Sequence, residues 1–188
     1  VSASAGARYV IAERGGSISG TMNFLKAGVG AWNLDVDYDY TYSARGITPI
    51  FGIDVRPVSG LTIGARYEME TKLNFEYNTD TLNVSASSPL LATAAAGVKS
   101  SLNWDGKKSQ QDLPQVISVG AEYVFTPAFT LSAGTNLYLM NLATIEDVYG
   151  DDVSKYFGVG YEINLAGQYK FTEKLTAGLT AMYSNQGT

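Results

Sequence analysis

Arg66, Glu68, Glu70 and Lys72 place four ionisable groups at alternate positions, and they are the first feature of this chain with types and spacing suited to chemistry. On a β-strand such residues share one face at intervals of about 6.6 Å, close enough to pair with each other or with charges on neighbouring strands. They can fill a polar interior with salt bridges. Alternatively Arg66, Lys72 or the later Lys170 can receive a carboxylate, for which arginine offers a bidentate fork. Other chemistries lack their parts. There is no cysteine and no histidine, which removes disulfides, thiol nucleophiles, imidazole bases and zinc sites of the usual kind. No enzyme is expected, nor any cofactor or metal. A net charge of −5 with no basic stripe argues against nucleic acid as a partner.

The element that must carry these charges is unusually regular. In "LTIGARYEMETKLNFEYN", residues 61 to 78, apolar Leu61, Ile63, Ala65, Tyr67, Met69, Leu73, Phe75 and Tyr77 alternate with polar or small residues, and only Thr71 interrupts the apolar set. Alternation sends the two sets to opposite faces. Sixteen residues in strand geometry span about 50 Å, or about 37 Å along the normal at a tilt near 45°, more than the ~25 Å apolar band of an outer-membrane barrel. The pattern predicts a barrel wall with lipid outside, a polar lumen inside and a strand top projecting beyond the bilayer. A soluble sandwich or lipocalin-like barrel would bury the same apolar face as its core. Thirteen Tyr, seven Phe and two Trp against 16% charged residues favour the membrane wall, whose interfaces carry aromatic girdles.

The remaining strands repeat the pattern. Ile117, Val119, Ala121, Tyr123 and Phe125 alternate with Ser118, Gly120 and Glu122; Phe129, Leu131, Ala133, Leu137 and Leu139 with Thr130, Ser132, Gly134 and Asn136; Val159, Tyr161, Ile163 and Leu165 with Glu162 and Asn164. "VRPVSGLTIGARY", "VFTPAFTLSAGTNLY" and "KFTEKLTAGLTAMY" share a grammar of strand end, short turn and new strand, which predicts tight hairpins at one rim. The opposite rim carries long connections, 77 to 113 and about 144 to 157, the asymmetry of short periplasmic turns and long extracellular loops. Tyr67, Leu73, Ile117, Leu131 and Ile163 are expected to face lipid, and Arg66, Glu68, Lys72, Glu122 and Glu162 the lumen. In the first third the parity changes. Trp32, Leu34, Val36, Tyr38, Tyr40 and Tyr42 are even, whereas Ile47, Phe51, Ile53 and Val55 are odd. Either a bulge within 43–46 keeps 31–57 as one long strand, or a hairpin divides it. A similar slip near 14–16 gives about seven long strands or nine shorter ones.

"ARGITPIFGIDVRPVSGLTIGARYEMETKLNF" followed by "DLPQVISVGAEYVFTPAFTLSAG" resembles outer-membrane long-chain fatty acid and hydrocarbon transporters of the FadL and TodX kind. The resemblance runs through residues 1 to 185 and is most specific over Asp112-Leu113-Pro114 to Gly120. It implies an all-β, 14-stranded transmembrane antiparallel barrel with an N-terminal hatch, and passive uptake of fatty acids or aromatic hydrocarbons across a bacterial outer membrane. Outer-membrane lipid and lipopolysaccharide would be its surroundings. Residues 1–188 show neither that hatch, nor all the strands, nor the terminal aromatic residue of such barrels, so they are expected to form one partial barrel domain, mature or incomplete, with the presence of a hatch left open. A general diffusion porin and a structural or adhesive barrel are the alternatives.

Two candidate sites follow. In the loop 79–113, Ser87 or Ser88 is placed to cap a short helix with Pro89 in its first turn. Its Leu90, Leu91, Ala94, Ala95 and Val98, with Leu102 and Trp104, either pack on the barrel mouth or form a groove that captures apolar substrate. Lys99, Lys107 and Lys108 either attract carboxylates and lipopolysaccharide phosphates or are simply solvated. The second site is the lumen around Arg66, Lys72 and Lys170, where inward Tyr138, Met140 and Leu142 mix apolar with polar groups in a way that suits an amphipathic ligand.

Overall fold

In a computed structural model of the chain, residues 1–26, 30–147 and 149–187 are described. They form one antiparallel sheet of nine strands. β1 (Ser2–Lys26) and β2 (Gly30–Val55) are a very long pair. β3 (Leu61–Glu68) and β4 (Asn74–Ala86) follow one another along the opposite edge of β2 and act as one interrupted strand. β5 (Lys108–Gln110) adds to β4, while β6 (Gln115–Thr126), β7 (Phe129–Leu139), β8 (Val159–Lys170) and β9 (Thr176–Asn185) extend the sheet beyond β3. Seven tracks therefore cross the wall: β1, β2, β3 with β4, β6, β7, β8 and β9. Among the described residues β1 and β9 are not paired with each other, so the wall is an open part of a barrel.

The three short connections, 56–60, 127–128 and 171–175, lie at one end, as the turn grammar predicts. Two use the same device. Thr126 Oγ1 accepts from the amides of Ala128 and Phe129, and Thr172 Oγ1 from those of Lys174 and Leu175, so in both a threonine hydroxyl helps to close the turn. At the first turn Gly60 has φ 83°, a conformation open to glycine. Above these turns Tyr123 meets Phe125 edge-on and Phe125 packs against Phe129, with centroids 4.6 and 5.6 Å apart, and Tyr169 packs on Phe171 at 4.9 Å. This is the aromatic cluster expected at an interface.

The pairing registers place Ala3, Ala5, Ala7, Tyr9 and Ile11 of β1 opposite Ile53, Phe51, Pro49, Ile47 and Arg45 of β2. Tyr67, Ile117, Leu137 and Tyr161 form one cross-strand row, and Ala65, Val119, Thr135, Ile163 and Tyr183 the next. Ile11 and Ile47 are 66% and 62% exposed, and Leu179 81%. A belt of apolar side chains this wide has no place in water. It covers about nine residues of each strand, the length needed to cross a bilayer as a tilted β-strand. On the opposite face, Arg66, Ser118, Asn136, Glu162 and Ser184 share a row, as do Thr62, Glu122, Ser132, Ala166 and Thr180. The wall thus has the expected apolar and polar faces.

Beyond the belt three expectations are corrected. First, β2 has no bulge at 43–46 and β1 none at 14–16, because their register is continuous from Ser2↔Asp54 to Lys26↔Gly30. Even positions face inward along the whole strand; the medium changes instead. Below, the outer face meets lipid and is apolar. Above, it meets water and carries Ser17, Ser19, Thr21 and Asn23 beside Asp39, Asp37, Asp35 and Asn33, while Leu34, Tyr38 and Ala44 are buried on the inner face. Residues 30–55 are one strand, as the unbroken reading expects, without the bulge that motivated it.

Second, the regular stretch 61 to 78 is broken. Glu68 pairs opposite Ile50, but Glu76 pairs opposite Ser43, so β3–β4 contains one more residue than β2 across Met69–Leu73. One extra residue flips the faces. Leu73, expected to face lipid, is 2% exposed and packs with Ala44 and Phe75, while Lys72, expected in the lumen, lies on the solvated outer side. A second extra residue, Asp80, restores the original parity, so Leu82, Val84 and Ala86 oppose Tyr38, Val36 and Leu34. Third, residues 79–86, placed in the long loop by the sequence, continue β4. Above them a 3₁₀ turn (Pro89–Leu91) leads into α1 (Ala92–Leu102), with Ser88 Oγ accepting from the Leu90 amide.

Candidate functional site

The inner face has three levels. The lowest is the polar wall. Its most buried charge is Glu68, whose side chain is 6% exposed and which faces two guanidiniums: Arg66 Nη2 lies 2.8 Å from Oε1 and Arg8 Nη1 2.9 Å from Oε2. Two cations against one carboxylate leave one positive charge, and both arginine side chains stay about half exposed. A guanidinium held by a buried carboxylate is oriented yet retains free donors, which suits the grip of an anionic headgroup. The ladder of the sequence is thus divided. Arg66 and Glu68 pair, whereas Lys72 is turned away by the extra residue before it. Lys170 pairs opposite Thr176 at the short-turn end, far along the strand from Arg66.

The middle level is a rim where the interrupted strand crosses β2. Thr71 bonds to Leu113 in both directions at 3.1 and 3.0 Å, and its hydroxyl meets that of Thr48; both threonines are wholly buried. A Cβ on Gly46 would lie 2.6 Å from the Lys72 carbonyl oxygen, so the crossing requires glycine there. Asp112 is buried and anchors the segment, accepting from the Leu73 amide at 2.8 Å and from Gln110 Nε2 at 2.6 Å. Beside it, burial pushes the Glu70 carboxyl above its ordinary pKa, with the charge of Asp112 adding to the effect.

The upper level lies outside the apolar belt and is aromatic. Tyr38, Tyr40 and Tyr42 project inward in a row; Tyr42 stacks on Tyr77 at 4.8 Å and meets Phe75 edge-on at 5.3 Å. Trp104 closes the row edge-on to Tyr40 at 5.4 Å, to Tyr38 at 5.7 Å and to Tyr77 at 6.0 Å. Tyr38 and Tyr77 are buried, but Tyr40, Tyr42 and Trp104 are only half-buried. They leave aromatic surface open to the interior.

α1 rests on the inner face of β4 through Ala95, the one buried residue of the helix. Between them run two adjoining cavities of about 460 and 480 Å³. Val84, Ala86, Ala92 and Ala96 line the first, Leu82 and Ala96 the second, and Lys99 stands at both. The first is small and apolar apart from Ser88 and Lys99, while the second adds polar Thr79, Ser100 and Asn103 and the Asp105 carboxylate; the apolar part beside the Lys99 ammonium forms a groove for an amphipathic anion.

The structure does not gather all the residues that the sequence nominates for capture. Trp104 joins the aromatic row. Leu90 is 70% exposed, Leu91, Val98 and Leu102 are half-buried, and none of the four lines the groove. Tyr138 and Met140 line a separate cavity above β7–β8–β9. Missed by sequence reading were Arg8, the groove residues Val84, Ala86 and Ala96, and the inward Tyr40 and Tyr42. The run of tyrosines at even positions is visible in the sequence, but its change of parity reads there as a bulge or a hairpin and not as a change of medium.

No family model matches the chain, and no curated protein matches it. Solved structures do. A FadL homologue of Pseudomonas aeruginosa aligns over 96% of this chain and 51% of its own length with a TM-score of 0.54 at 15% identity. The toluene transporter TbuX of Ralstonia pickettii aligns over 97% of this chain and 50% of its own, with a TM-score of 0.57 at 13% identity. The chain spans about half the length of either structure. Its fold is that of the FadL-like barrel wall, as the resemblance in the sequence implies.

Proposed function

We propose that this chain is part of an outer-membrane barrel that takes up hydrophobic small molecules passively, with the α1–β4 groove and the aromatic row as its receiving surface. The observation that carries this reading is the inversion of the inner face. Above the belt it is apolar and aromatic; within the belt it is polar and carries the Arg8–Glu68–Arg66 group. An apolar molecule leaving water gains about 0.8 kcal/mol per buried methylene, so the upper face can extract it with no energy source. The fold shared with a FadL homologue and a toluene transporter supports this reading.

Lys99 at the groove and the exposed Arg66 and Arg8 favour molecules with a carboxylate at one end. Outer-membrane lipid would contact the belt. Lys107, which stands over the Tyr149 ring at 5.8 Å, and Lys108, 3.5 Å from Glu76, would lie at the level of lipopolysaccharide headgroups.

The test is binding and vesicle uptake of a series of saturated fatty acids by the full-length protein. Affinity should climb with chain length, and Ala96→Trp, which fills the groove, should weaken binding of hexadecanoate at least tenfold while the barrel stays resistant to heat in detergent. The paired change of Leu90 and Leu91 to Asp should do less, since neither lines the groove. Unchanged hexadecanoate binding in Ala96→Trp would move the site down to Arg66. A diffusion porin, favoured by the polar wall alone, would instead show steady ion conductance and no dependence on chain length.

A further inference from the structure

The cavity above β7–β8–β9, on the side of the inner face away from Arg8 and Arg66, holds about 310 Å³ and is lined by Tyr138, Met140, Phe157, Gly160, Glu162 and Ser184 among others. Its one charge is Glu162. The carboxylate is held in place: Oε2 accepts from Tyr138 Oη at 2.8 Å and from Asn136 Nδ2 at 3.0 Å. The strand beneath is fixed too, since Thr135 Oγ1 donates to the Glu162 carbonyl at 2.8 Å. Among the described residues no lysine or arginine lies within ion-pair distance of Glu162, whereas Glu68 has two cations and Glu76 has one.

We propose that this cavity is a subsite for the ammonium group of small amphipathic amines. Two neutral donors orient the carboxylate without cancelling its charge. A neutral ligand filling the cavity would strip water from an unpaired anion, which is costly; an ammonium offsets that loss by pairing with it. The Tyr138 and Phe157 rings offer aromatic faces to a cation, and the Met140 thioether is a soft neighbour for its alkyl groups. A carboxylate ligand is repelled here, so the two sides of the inner face sort ligands by headgroup charge, anions toward Arg8 and Arg66 and ammonium ions toward Glu162. The volume is at the low end for ligand cavities and fits one benzene-sized body with a short arm.

This assignment rests on the uptake reading only in taking the inner face as the side a ligand reaches. The test uses the full-length protein in phosphatidylcholine vesicles, with partition into protein-free vesicles subtracted. The probes are 2-phenylethylammonium, neutral ethylbenzene and 3-phenylpropionate. The ammonium should bind at least tenfold more tightly than the carboxylate. Glu162→Gln, which keeps an acceptor for Tyr138, should weaken ammonium binding at least tenfold and leave ethylbenzene uptake within twofold. Glu162→Asp, which keeps the charge, should restore much of the loss and guards against a folding defect in the first variant. Ammonium binding that survives Glu162→Gln, or no preference for the ammonium in the unaltered protein, overturns the subsite. Ammonium binding lost in Glu162→Gln, with no ethylbenzene uptake in the unaltered protein, sustains the subsite and overturns the uptake reading instead.

Discussion

β2 and the β3–β4 track lie side by side, cross from lipid into water at the same height, and solve that crossing in opposite ways. β2 keeps its geometry and changes its chemistry: even positions point inward throughout, and its apolar residues move from odd to even where the outer medium changes from hydrocarbon to water. The β3–β4 track keeps its chemistry and changes its geometry. Its apolar residues stay odd from Leu61 to Tyr77, and one extra residue at Met69–Leu73 turns them from the lipid face to the protein interior. Both routes obey one requirement, that apolar side chains face lipid below and protein above. Parity in a sequence therefore reports the product of strand geometry and medium, and neither factor alone.

The largest expected effect tests the flip at the extra residue. Leu73→Ala should destabilise the upper sheet by about 3 kcal/mol through cavity formation, seen as faster amide exchange in β4 and upper β2, while Lys72→Ala should change it by less than about 0.5 kcal/mol. Equal, small effects would mean that the track continues unflipped and Leu73 faces lipid. Next comes the change of medium along β2. Phe51→Lys, inside the belt, should cost about 2 kcal/mol and lower the yield of folded barrel in vesicles. Asp37→Lys on the same strand, above the belt, should be near neutral. If both are tolerated, the outer face of β2 does not pass from hydrocarbon to water.

A smaller effect is expected where the two tracks touch. Gly46→Ala places a methyl 2.6 Å from the Lys72 carbonyl oxygen, and overpacking of this kind costs about 1–3 kcal/mol; protease should then cut at 69–73 at lower denaturant. Smallest is the pH dependence of the same crossing. The Glu70 carboxyl binds its proton more tightly in the fold than in the unfolded chain. The fold therefore holds the extra proton between the ordinary carboxyl pKa and the raised one, and stability falls as pH rises through that window. Charges facing Glu70 are Asp112, which raises its pKa, and Lys72, which opposes the rise. Protection of the Thr71 and Leu113 amides, corrected for intrinsic exchange, should decline across the window, and Glu70→Gln should flatten the decline. A decline of equal slope in Glu70→Gln would show that Glu70 does not carry it.

Much of the architecture was legible because it depends on local rules. Alternation identified β6, β7 and β8 and the faces of Ile117, Leu131, Ile163, Glu122 and Glu162; the Pro- and Thr-containing turns marked one rim and the start of β9; and Ser88 before Pro89 marked a helix start. The groove residues Val84, Ala86 and Ala96 were not legible, because 79–86, the upper part of β4, reads as loop and α1 finds its place only by packing on it. Leu73 and Lys72 were assigned to the wrong faces because the bulge that turns them is signalled only by Thr71, one polar residue in an apolar series.

By itself, then, the amino-acid order determined that this is an antiparallel wall with one apolar and one polar face, short turns at one rim and a capped helix at the other. Each of those follows from side-chain alternation and backbone preference within a few residues. Only the tertiary structure decided which face each apolar set meets at a given height, that Glu68 is clamped by Arg8 from 60 residues away in the chain, and that Glu162 opens into a cavity without a cation. Those outcomes depend on which strand lies alongside and what medium lies beyond it. A side chain's direction is set by its own backbone, but its surroundings are set by residues remote in sequence.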